Sequence, residues 1–454
     1  MWNLERLTVG RAVAACALSI AAVAVQAEPI RLMPATAIKM ATAQNPSSAA
    51  SDVAVAIKRA QLGAVSGWMP QIDASAKTLY GEGEPTSFFA TQNVEDPDEP
   101  DNRIAGGGQI SGSVDLSLPI YQQGVFFNRQ SPAVREADRR YAKARHEGEF
   151  QQVDLAHSVM KLYIGALQAG AEIALLQDIY DRRLQQLDVT KQRVASGISP
   201  VSDEHAVEKA LASSLRDLNI ANRREDLQHI QLRLLLGLDL GQEIELFALQ
   251  PQVPPLPSLG DLVQQMLQDH PRVAIQQSDV EIAKAELSGA RAAGAPTLSL
   301  VSRLTATDNI EGDDVRTFVS VGLNLAMPFT DFMQRNSSSS PKAYALQESQ
   351  YRRAELQDTL IAELYAAYYS VLDGQDTLVS SEKVLEQTMS DEQLVRTRYE
   401  EGQETIDTVV SSENETLGAR LNVLGARYNV WFSYAVLFRA TGQPFSEQGL
   451  VVGQ

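Results

Sequence analysis

The side chains that most often carry out chemistry are few and widely separated in this sequence. Its five histidines lie at positions 146, 157, 205, 229 and 270, and none belongs to an HExxH pair that could bind zinc. The one cysteine, Cys16, excludes an intramolecular disulfide and any metal site built from several cysteines. GxGxxG, Walker and GxSxG motifs are also missing from the sequence. We therefore predict no catalytic residue, no metal site and no cofactor.

The amino-terminal segment is typical of a secretory signal peptide. Arg6 and Arg11 precede an apolar run over residues 12–25, and Ala27 closes a cleavage site of small residues. Residues 1–27 are therefore predicted to be removed. A lipoprotein cut at Cys16 would leave almost no apolar run before it, so lipidation is not favoured. The formal net charge of −18 argues against nucleic acid as a partner.

The rest of the chain contains an internal repeat. Proline and glycine positions recur in order with a slowly drifting spacing, and Pro132 and Pro341, for example, are 209 residues apart. Arg193-Val-Ala-Ser-Gly197 likewise matches Arg398-Tyr-Glu-Glu-Gly402. The predicted segments are the first repeat (28–250), a Pro-rich linker (251–257), the second repeat (258–443) and a C-terminal tail (444–454).

Each repeat carries the signals of a helix, two strands and two long helices. Long proline-free gaps begin after Pro132 and after Pro341, and such gaps permit very long helices. Apolar and small residues also follow the three- and four-residue spacing of coiled-coil packing. These residues are Val153, Ala156, Met160, Tyr163, Leu167, Gly170 and Ala174, and then Leu417, Leu421, Leu424, Tyr428 and Trp431. A helix of ~65 residues is ~100 Å long, so we expect an elongated assembly.

Four segments alternate apolar and polar residues, as strands do. Their apolar positions are Ile72, Ala74, Ala76 and Tyr80; Ile110, Val114, Leu116 and Leu118; Leu298, Leu300 and Leu304; and Val319, Val321, Leu323, Leu325 and Met327. Each segment has about ten residues, the length that a tilted strand needs to cross a bilayer. The alternation alone would also fit a soluble β-sandwich in which one face of each sheet is buried. Because four strands cannot close a barrel that holds water, a membrane barrel would require several chains to pool their strands.

The order of these signals resembles that of the TolC-like outer membrane efflux proteins, or outer membrane factors. The shared features are a helix ending near Asn45-Pro46, a strand closing on Leu116-Ser-Leu-Pro-Ile120, an Arg-x-x-x-Gly at a coiled-coil tip, and the duplication of the whole unit. The resemblance implies a mainly α fold with a small β part. Three chains would each give four strands to a 12-stranded outer-membrane barrel, and their long coiled-coil helices would form a periplasmic tunnel.

The same resemblance implies a function without catalysis. Such a protein lies in the cell outer membrane, extends into the periplasm and acts as a passive exit duct for a tripartite efflux pump or a type I secretion system. The implied partners are two further copies of the chain, a periplasmic adaptor, a proton-driven or ATP-driven inner-membrane transporter, and outer-membrane lipid. The cargo is not implied.

Family members close the tunnel at its periplasmic tip, in the turns between the long helices. Here the resemblance implies tip turns for adaptor docking at Gly197 and Gly402, and gate candidates at Asp203, Glu204, Tyr399, Glu404 and Asp407. Relatives often carry carboxylates six and nine residues after the second glycine, where this chain has Thr408 and Ser411. A ring of acids would favour cations. The other interpretation is that these acids complement helix dipoles, with Ser202 or Asp203 as an N-cap.

Two other functions account for less of the sequence. A periplasmic coiled-coil adaptor or scaffold without a channel of its own would explain the long helices, but not the alternating strands or the duplication. A secreted enzyme that acts through paired carboxylates has no constellation of residues to support it.

Overall fold

The computed structural model describes residues 30–67, 69–81, 107–128, 130–249, 255–309, 316–327 and 329–444. The predicted signal peptide, most of the predicted linker and nearly all of the predicted tail lie outside these ranges. The bounds of the predicted segments therefore stay predictions.

Eight helices and seven strands make up the described part of the chain. The helices are α1 (Pro34–Gln44), α2 (Pro46–Ser66), α3 (Pro132–Ala195), α4 (Val201–Leu236), α5 (Leu259–Asp269), α6 (Pro271–Ala292), α7 (Phe329–Glu400) and α8 (Ile406–Thr441). The strands are β1 (Ile30–Leu32), β2 (Gln71–Gly81), β3 (Gly107–Gln122), β4 (Val125–Phe126), β5 (Ile244–Leu246), β6 (Thr297–Asn309) and β7 (Arg316–Ala326).

The order of elements confirms the predicted duplicated unit. The series α2, β2, β3, α3, α4 recurs as α6, β6, β7, α7, α8. The helix predicted to end near Asn45-Pro46 is α1, which ends at Gln44. The sequence did not predict the short helix α5, the hairpin strand β4, or the parallel pair of β1 with β5. Strands of two or three residues are too short for an alternating pattern to be recognised.

The sheet has the order β2, β3, β6, β7 and is antiparallel throughout. Its register places the apolar positions of all four strands on one face, as in the row Ala74, Val114, Leu304 and Val319. The next row belongs to the opposite face and contains Asp73, Asp115, Arg303 and Ser320, with an ion pair between Arg303 and Asp115. The predicted alternation is thus confirmed. In the single chain the apolar face is open, since Val321 is 70% exposed.

The long helices form a layer of two hairpins. α3 packs against α4 on one side and α8 on the other, and α7 packs against α8, so the order across the layer is α4, α3, α8, α7. Nearer the sheet, α2 and α6 replace α4 and α8, which gives the order α2, α3, α6, α7. α3 holds the one window, among the described helices, that is long and apolar enough to cross a membrane. Its packing makes it a core helix of the layer.

The structure corrects both predicted coiled-coil seams. In α3, Val153, Ala156, Met160 and Tyr163 are buried as expected, but Ala174 is exposed. In α8, Trp431 is buried as predicted, but Leu417, Leu421, Leu424 and Tyr428 are only partly buried, so the predicted seam lies one or two residues away from the buried one. The buried seam is Thr416, Ala419, Val423, Ala426 and Val430. The predicted and the buried seams of α8 both step by three and four residues. The buried seam has the smaller side chains, which allow the closer helix contact.

Pro341, which bounds one of the predicted proline-free gaps, lies inside α7. A proline within a helix loses one backbone hydrogen bond and costs about 3 kcal/mol. Tertiary contacts of α7 with α6 are present at this point, where Lys342 Nζ lies 2.8 Å from Glu286 Oε2. The helix therefore continues for 72 residues, further than the sequence pattern indicates.

Each repeat bends at an X-Pro step between its short first helix and the next one. Asn45 Oδ1 accepts a hydrogen bond from the Ser47 N–H at 2.8 Å, and His270 Nδ1 accepts one from the Arg272 N–H at 3.0 Å. Proline is well suited to the first position of a helix, where its missing N–H would have no partner. The same cap is therefore built by asparagine in one repeat and by histidine in the other.

The histidine makes this cap sensitive to pH. His270 is 2% exposed, and burial, reinforced by Arg272 and Arg439, lowers its pKa to about 4. In the unfolded chain its pKa is about 6.5, so the unfolded state binds more protons between the two values. The stability linked to His270 is therefore present above pH 6.5 and is lost as the pH falls towards 4, by about 3 kcal/mol in total.

We expect His270→Asn to reduce this pH dependence, because Asn45 shows that asparagine can form the cap without titrating. The free energy of unfolding in urea, measured at pH 7.0 and 4.5, should fall less in the variant than in the unchanged protein. A loss of packing would lower stability at both pH values and leave their difference unaffected. If the unfolding free energy changes equally between pH 7.0 and 4.5 in the variant and in the unchanged protein, His270 is not the source of the pH dependence.

Candidate functional site

The two hairpins end in turns of the same construction. Gly197, between α3 and α4, has φ +71°, and Gly402, between α7 and α8, has φ +75°. The N–H of the residue after each glycine donates to the carbonyl of the arginine five residues earlier, at 2.9 Å in the first turn and 2.8 Å in the second. This is a Schellman motif, which needs a left-handed residue at the glycine position. The Arg-x-x-x-Gly pattern therefore has a backbone cause.

The predicted acids lie directly beside these turns. Asp203 and Glu204 are in the first turn of α4, Asp407 is in the first turn of α8, and Glu404 precedes the Thr405 cap. Among the described residues, none of the four carboxylates takes part in an ion pair. All four complement the positive end of a helix dipole, as the second interpretation expects. Whether they also face a pore stays a prediction.

The predicted N-caps are wrong. Ser202 and Asp203 lie inside α4, whose N-cap is Pro200, a residue without a capping side chain. Helix α8 is capped instead by Thr405, whose Oγ1 accepts from the Thr408 N–H at 3.4 Å. Because proline fixes its own backbone angle, it can start α4 without a side-chain cap.

The two tips are packed against each other. Leu187 of α3 and Val207 of α4 form a buried cluster with Ile406 and Val409 of α8. Tyr399 of α7 packs against this cluster, and the Arg193 guanidinium of α3 lies 5.8 Å from the centre of its ring. The structure thus brings Tyr399 to a contact between the hairpins. Its role in a gate stays a prediction.

A polar network above the tips was missed in the sequence. Arg183, 4% exposed, donates to the Ala210 carbonyl at 2.9 Å and to the Asn414 side chain, and so links both hairpins. Nearby, Arg396 holds Glu392 at 3.3 Å and Glu413 at 3.0 Å. Burial raises the pKa of Glu413 above its ordinary value. The signal that could have shown the network is an arginine at a seam position of α3.

The outer helices of the layer expose apolar stripes. On α4, Ile220, Leu227 and Leu234 are 41%, 51% and 59% exposed. On the opposite side of the layer, α7 exposes Val379 and Tyr365 by 66% and 41%. Near the sheet, exposed apolar residues also lie on the outer helices α2 and α7. They are Val53 and Ile57 on α2, and Tyr344 and Tyr351 on α7.

The exposed apolar stripes of α4 and α7 lie at matching distances from the tip turns, counted in residues along each helix. Ile220 and Val379 are each 23 residues from the glycine of their own tip turn. Seven residues further from the tip, Leu227 corresponds to Leu372, and after seven more, Leu234 corresponds to Tyr365. α4 runs away from the tip and α7 runs towards it. Side by side, they would therefore meet as an antiparallel pair with a heptad spacing.

The sheet also has two open edges. β2 and β7 are its first and last strands, and three antiparallel steps separate them, so they run in opposite directions. Unpaired edge strands bind further strands readily. One side of the described chain thus presents β2, α2 and α4, and the other side presents β7 and α7.

Residues 37–238 and 262–443 match the sequence profile of the family described as outer membrane efflux protein. The match covers most of both repeats. The chain belongs to the outer membrane efflux protein family. This assignment agrees with the predicted export function and outer-membrane location, and it decides against the alternative of a periplasmic adaptor.

Two curated relatives of this efflux protein were found. The pyoverdine export outer membrane protein OpmQ of Pseudomonas aeruginosa is 24% identical over 384 residues, which cover 80% of this chain and 76% of the relative. The outer membrane protein TolC of Vibrio cholerae is 21% identical over 355 residues, which cover 75% and 78% of the two chains.

Solved structures show the same fold as this efflux protein. A structure of CusC has a TM-score of 0.74 with 16% identity and covers 90% of this chain and 92% of its own. The outer membrane protein VceC of Vibrio cholerae has a TM-score of 0.72 with 16% identity and covers 91% and 97%. The family is one of channel proteins, which are trimeric and work with efflux pumps.

Proposed function

We propose that three copies of the chain form the exit duct of an export machine, with one barrel in the outer membrane and one helical tunnel below it. The observation that supports this most directly is the pair of complementary sides on a single chain. Because β2 and β7 run in opposite directions, the β7 edge of one copy can pair antiparallel with the β2 edge of the next. Three sheets then close as a 12-stranded barrel with no free edge.

The threefold rotation that pairs the sheet edges of neighbouring copies also brings α7 of one copy against α2 and α4 of the next. It covers the exposed stripes that contain Tyr351 on α7 and Leu227 on α4. It also places the open apolar face of the sheet, with Val319 and Val321, against lipid, and the row that contains Asp73, Asp115 and Arg303 against water. Such head-to-tail contacts close into a ring when the rotation is one third of a turn.

Cysteine pairs test this arrangement directly. The mature chain would have no cysteine, so Ile220→Cys with Val379→Cys should form disulfides between neighbouring copies. Oxidised protein from outer membranes should run as a covalent trimer after boiling and as a monomer after reduction. The control pair is Ala174→Cys with Val379→Cys. Ala174 is also 23 residues from its tip glycine but lies on α3, away from the edge. Covalent trimers from the control pair, or monomers from both, would contradict the arrangement.

The periplasmic tips are proposed as the docking surface for an adaptor, and through it for an inner-membrane transporter. Ile198, directly after Gly197, is 71% exposed, and Val201, at the start of α4, is 56% exposed. Exposed apolar side chains on a rigid turn are suited to binding another protein. The second tip, with Gln403 and Glu404, offers polar contacts instead.

The acids of the tips are proposed to select cations where the duct is narrowest. In a trimer each acid occurs three times around the axis, and a ring of carboxylates attracts cations and repels anions. We expect Asp203→Asn combined with Asp407→Asn to reduce the cation preference of single channels in planar bilayers. The reversal potential under a salt gradient should move towards zero.

A charge-matched control separates this effect from a change in net charge. Asp226 of α4 and Asp376 of α7 are exposed and lie far from the tips in sequence. The double variant Asp226→Asn with Asp376→Asn should keep the cation preference. If both double variants shift the reversal potential equally, or neither does, the tip acids do not line the constriction.

A further inference from the structure

A cavity of about 500 Å³ lies between the two hairpins, next to the buried cluster that joins their tips. α3 forms one wall, and α7 and α8 form the other. Ile179, Leu417 and Tyr399 contribute apolar and aromatic surface to the lining. This size and this mixture of apolar surface with a few charged groups are typical of sites for small organic molecules.

The charged groups of the cavity wall are mainly positive, although the chain as a whole is acidic. Five arginines line it against three glutamates, and one of these arginines, Arg182, pairs with Asp178. Arg396 already binds two of these glutamates, Glu392 and Glu413. Arg420 makes no ion pair with another described residue, and Arg193 has a ring contact with Tyr399. Arg420 and Arg193 are therefore guanidinium groups of the cavity wall that form no ion pair with a described carboxylate.

Arg183, also in the wall, interacts with the charges of Glu413 and Asp217 and lacks only one hydrogen-bond acceptor. Both of its terminal nitrogens have acceptors, but no described group accepts a hydrogen bond from its Nε, although the residue is 4% exposed. A buried N–H without an acceptor costs about 1–3 kcal/mol. This nitrogen has less than 1 Å² of accessible surface, so a molecule in the cavity does not reach it. The feature that favours an anion is therefore the excess of arginines in the lining, with Arg420 and Arg193 outside any ion pair of the described residues.

We propose that this cavity is a binding site for a small organic anion, with a carboxylate or sulfonate group on an apolar or aromatic body. Its anionic group accepts hydrogen bonds from Arg420, and its body packs against Leu417, Ile179 and the region of Arg193 and Tyr399. Charge-assisted hydrogen bonds from guanidinium groups are among the stronger polar contacts in proteins.

The position of the cavity gives such a ligand an effect on the tips. Because its walls come from both hairpins, a bound anion connects α3 to α7 and α8 and opposes their separation. The effect on the tips rests on the proposed trimeric duct: if the tips close that duct, as the family resemblance implies, the anion stabilises the state in which the hairpins are packed together. A ligand shifts an equilibrium by its difference in affinity for the two states.

Binding can be measured with 4-fluorobenzoate, followed by the broadening of its ¹⁹F signal in the presence of purified protein in detergent. We expect saturable broadening, and an affinity at least tenfold lower in Arg420→Gln and in Arg193→Gln. Arg427→Gln should bind as the unchanged protein does, since Arg427 lies seven residues along α8 and pairs with Glu382 outside the cavity wall. Protonated 4-fluorobenzylamine, a probe of similar size and opposite charge, should not bind.

The outcomes separate this proposal from the proposed function. Equal binding of the two probes, or unchanged 4-fluorobenzoate binding in both cavity variants, would overturn the anion site. Light scattering on the same samples reports the oligomeric state, so binding to a protein that is not a trimer would contradict the duct and leave the site intact. In planar bilayers 4-fluorobenzoate should lower the open probability of the unchanged channel and of Arg427→Gln. An equal decrease in Arg420→Gln would overturn the link between the cavity and the tips.

Discussion

Val379→Asp is expected to abolish assembly of the trimer. Val379 is 66% exposed in one chain and is proposed to meet Ile220 of the next copy at the same height above the tips. Aspartate there would place an unpaired charge in an apolar contact, at a cost of several kcal/mol at each interface. A closed ring of three copies contains this contact three times. The destabilisation therefore occurs at every interface, and assembly should fail.

The measurement is the amount of heat-sensitive trimer in outer membranes, read from gels of unboiled samples. Ile220→Asp, on the other side of the same contact, should give the same loss. Leu184→Asp is the control, because Leu184 is a similarly exposed apolar residue on α3, which is not an edge helix. Normal trimer levels in Val379→Asp and Ile220→Asp would show that α4 and α7 do not meet.

Gly442→Ala should destabilise the fold more than any other glycine-to-alanine change at a helix end. Gly442 ends α8 with φ +77°, and a Cβ there would lie 2.9 Å from ring carbons of His270 and from Pro271 Cδ. The left-handed conformation costs a non-glycine residue about 1–2 kcal/mol, and overpacking adds about 1–3 kcal/mol. We expect a total loss of about 2–5 kcal/mol in the free energy of unfolding.

Gly402→Ala separates the two causes. Gly402 has nearly the same φ, +75°, but a Cβ there would meet open space. It should therefore lose only the conformational part, about 1–2 kcal/mol. Urea unfolding of the two variants under the same conditions provides the comparison. Similar losses would mean that the contact of Gly442 with His270 and Pro271 does not restrict this position.

Much of the architecture could be predicted because its signals are local and repeated. The alternation in β2, β3, β6 and β7 reflects two faces with different surroundings, and the sheet register places it as expected. Gly197 and Gly402 end their helices because each motif needs a left-handed residue, whatever packs around it. The duplication doubled each of these signals, so weak patterns became a reliable order of elements.

The site was predicted only in part. The tip turns and the position of the acids beside them follow from the sequence. The contact of Tyr399 with Arg193 joins residues 206 positions apart and needs the folded chain to be seen. The same is true of Arg183, whose partner Asn414 belongs to the other repeat. A buried polar network has no periodicity of its own, so the arginine at a seam position of α3 is a local signal that does not identify its partners.

The sequence by itself determined the repeated unit, the two-faced strands, the long helices and the glycine turns, because these depend on neighbours within a few residues. Only the tertiary structure decided which of two equally spaced stripes on α8 is buried, since the close approach of helices selects the small side chains of Ala419 and Ala426. It also decided that α4 and α7 are the edge helices and that a cavity lined by more arginines than glutamates lies between the hairpins. Those features arise between segments that are far apart in the chain, where spacing along the sequence carries no information about distance.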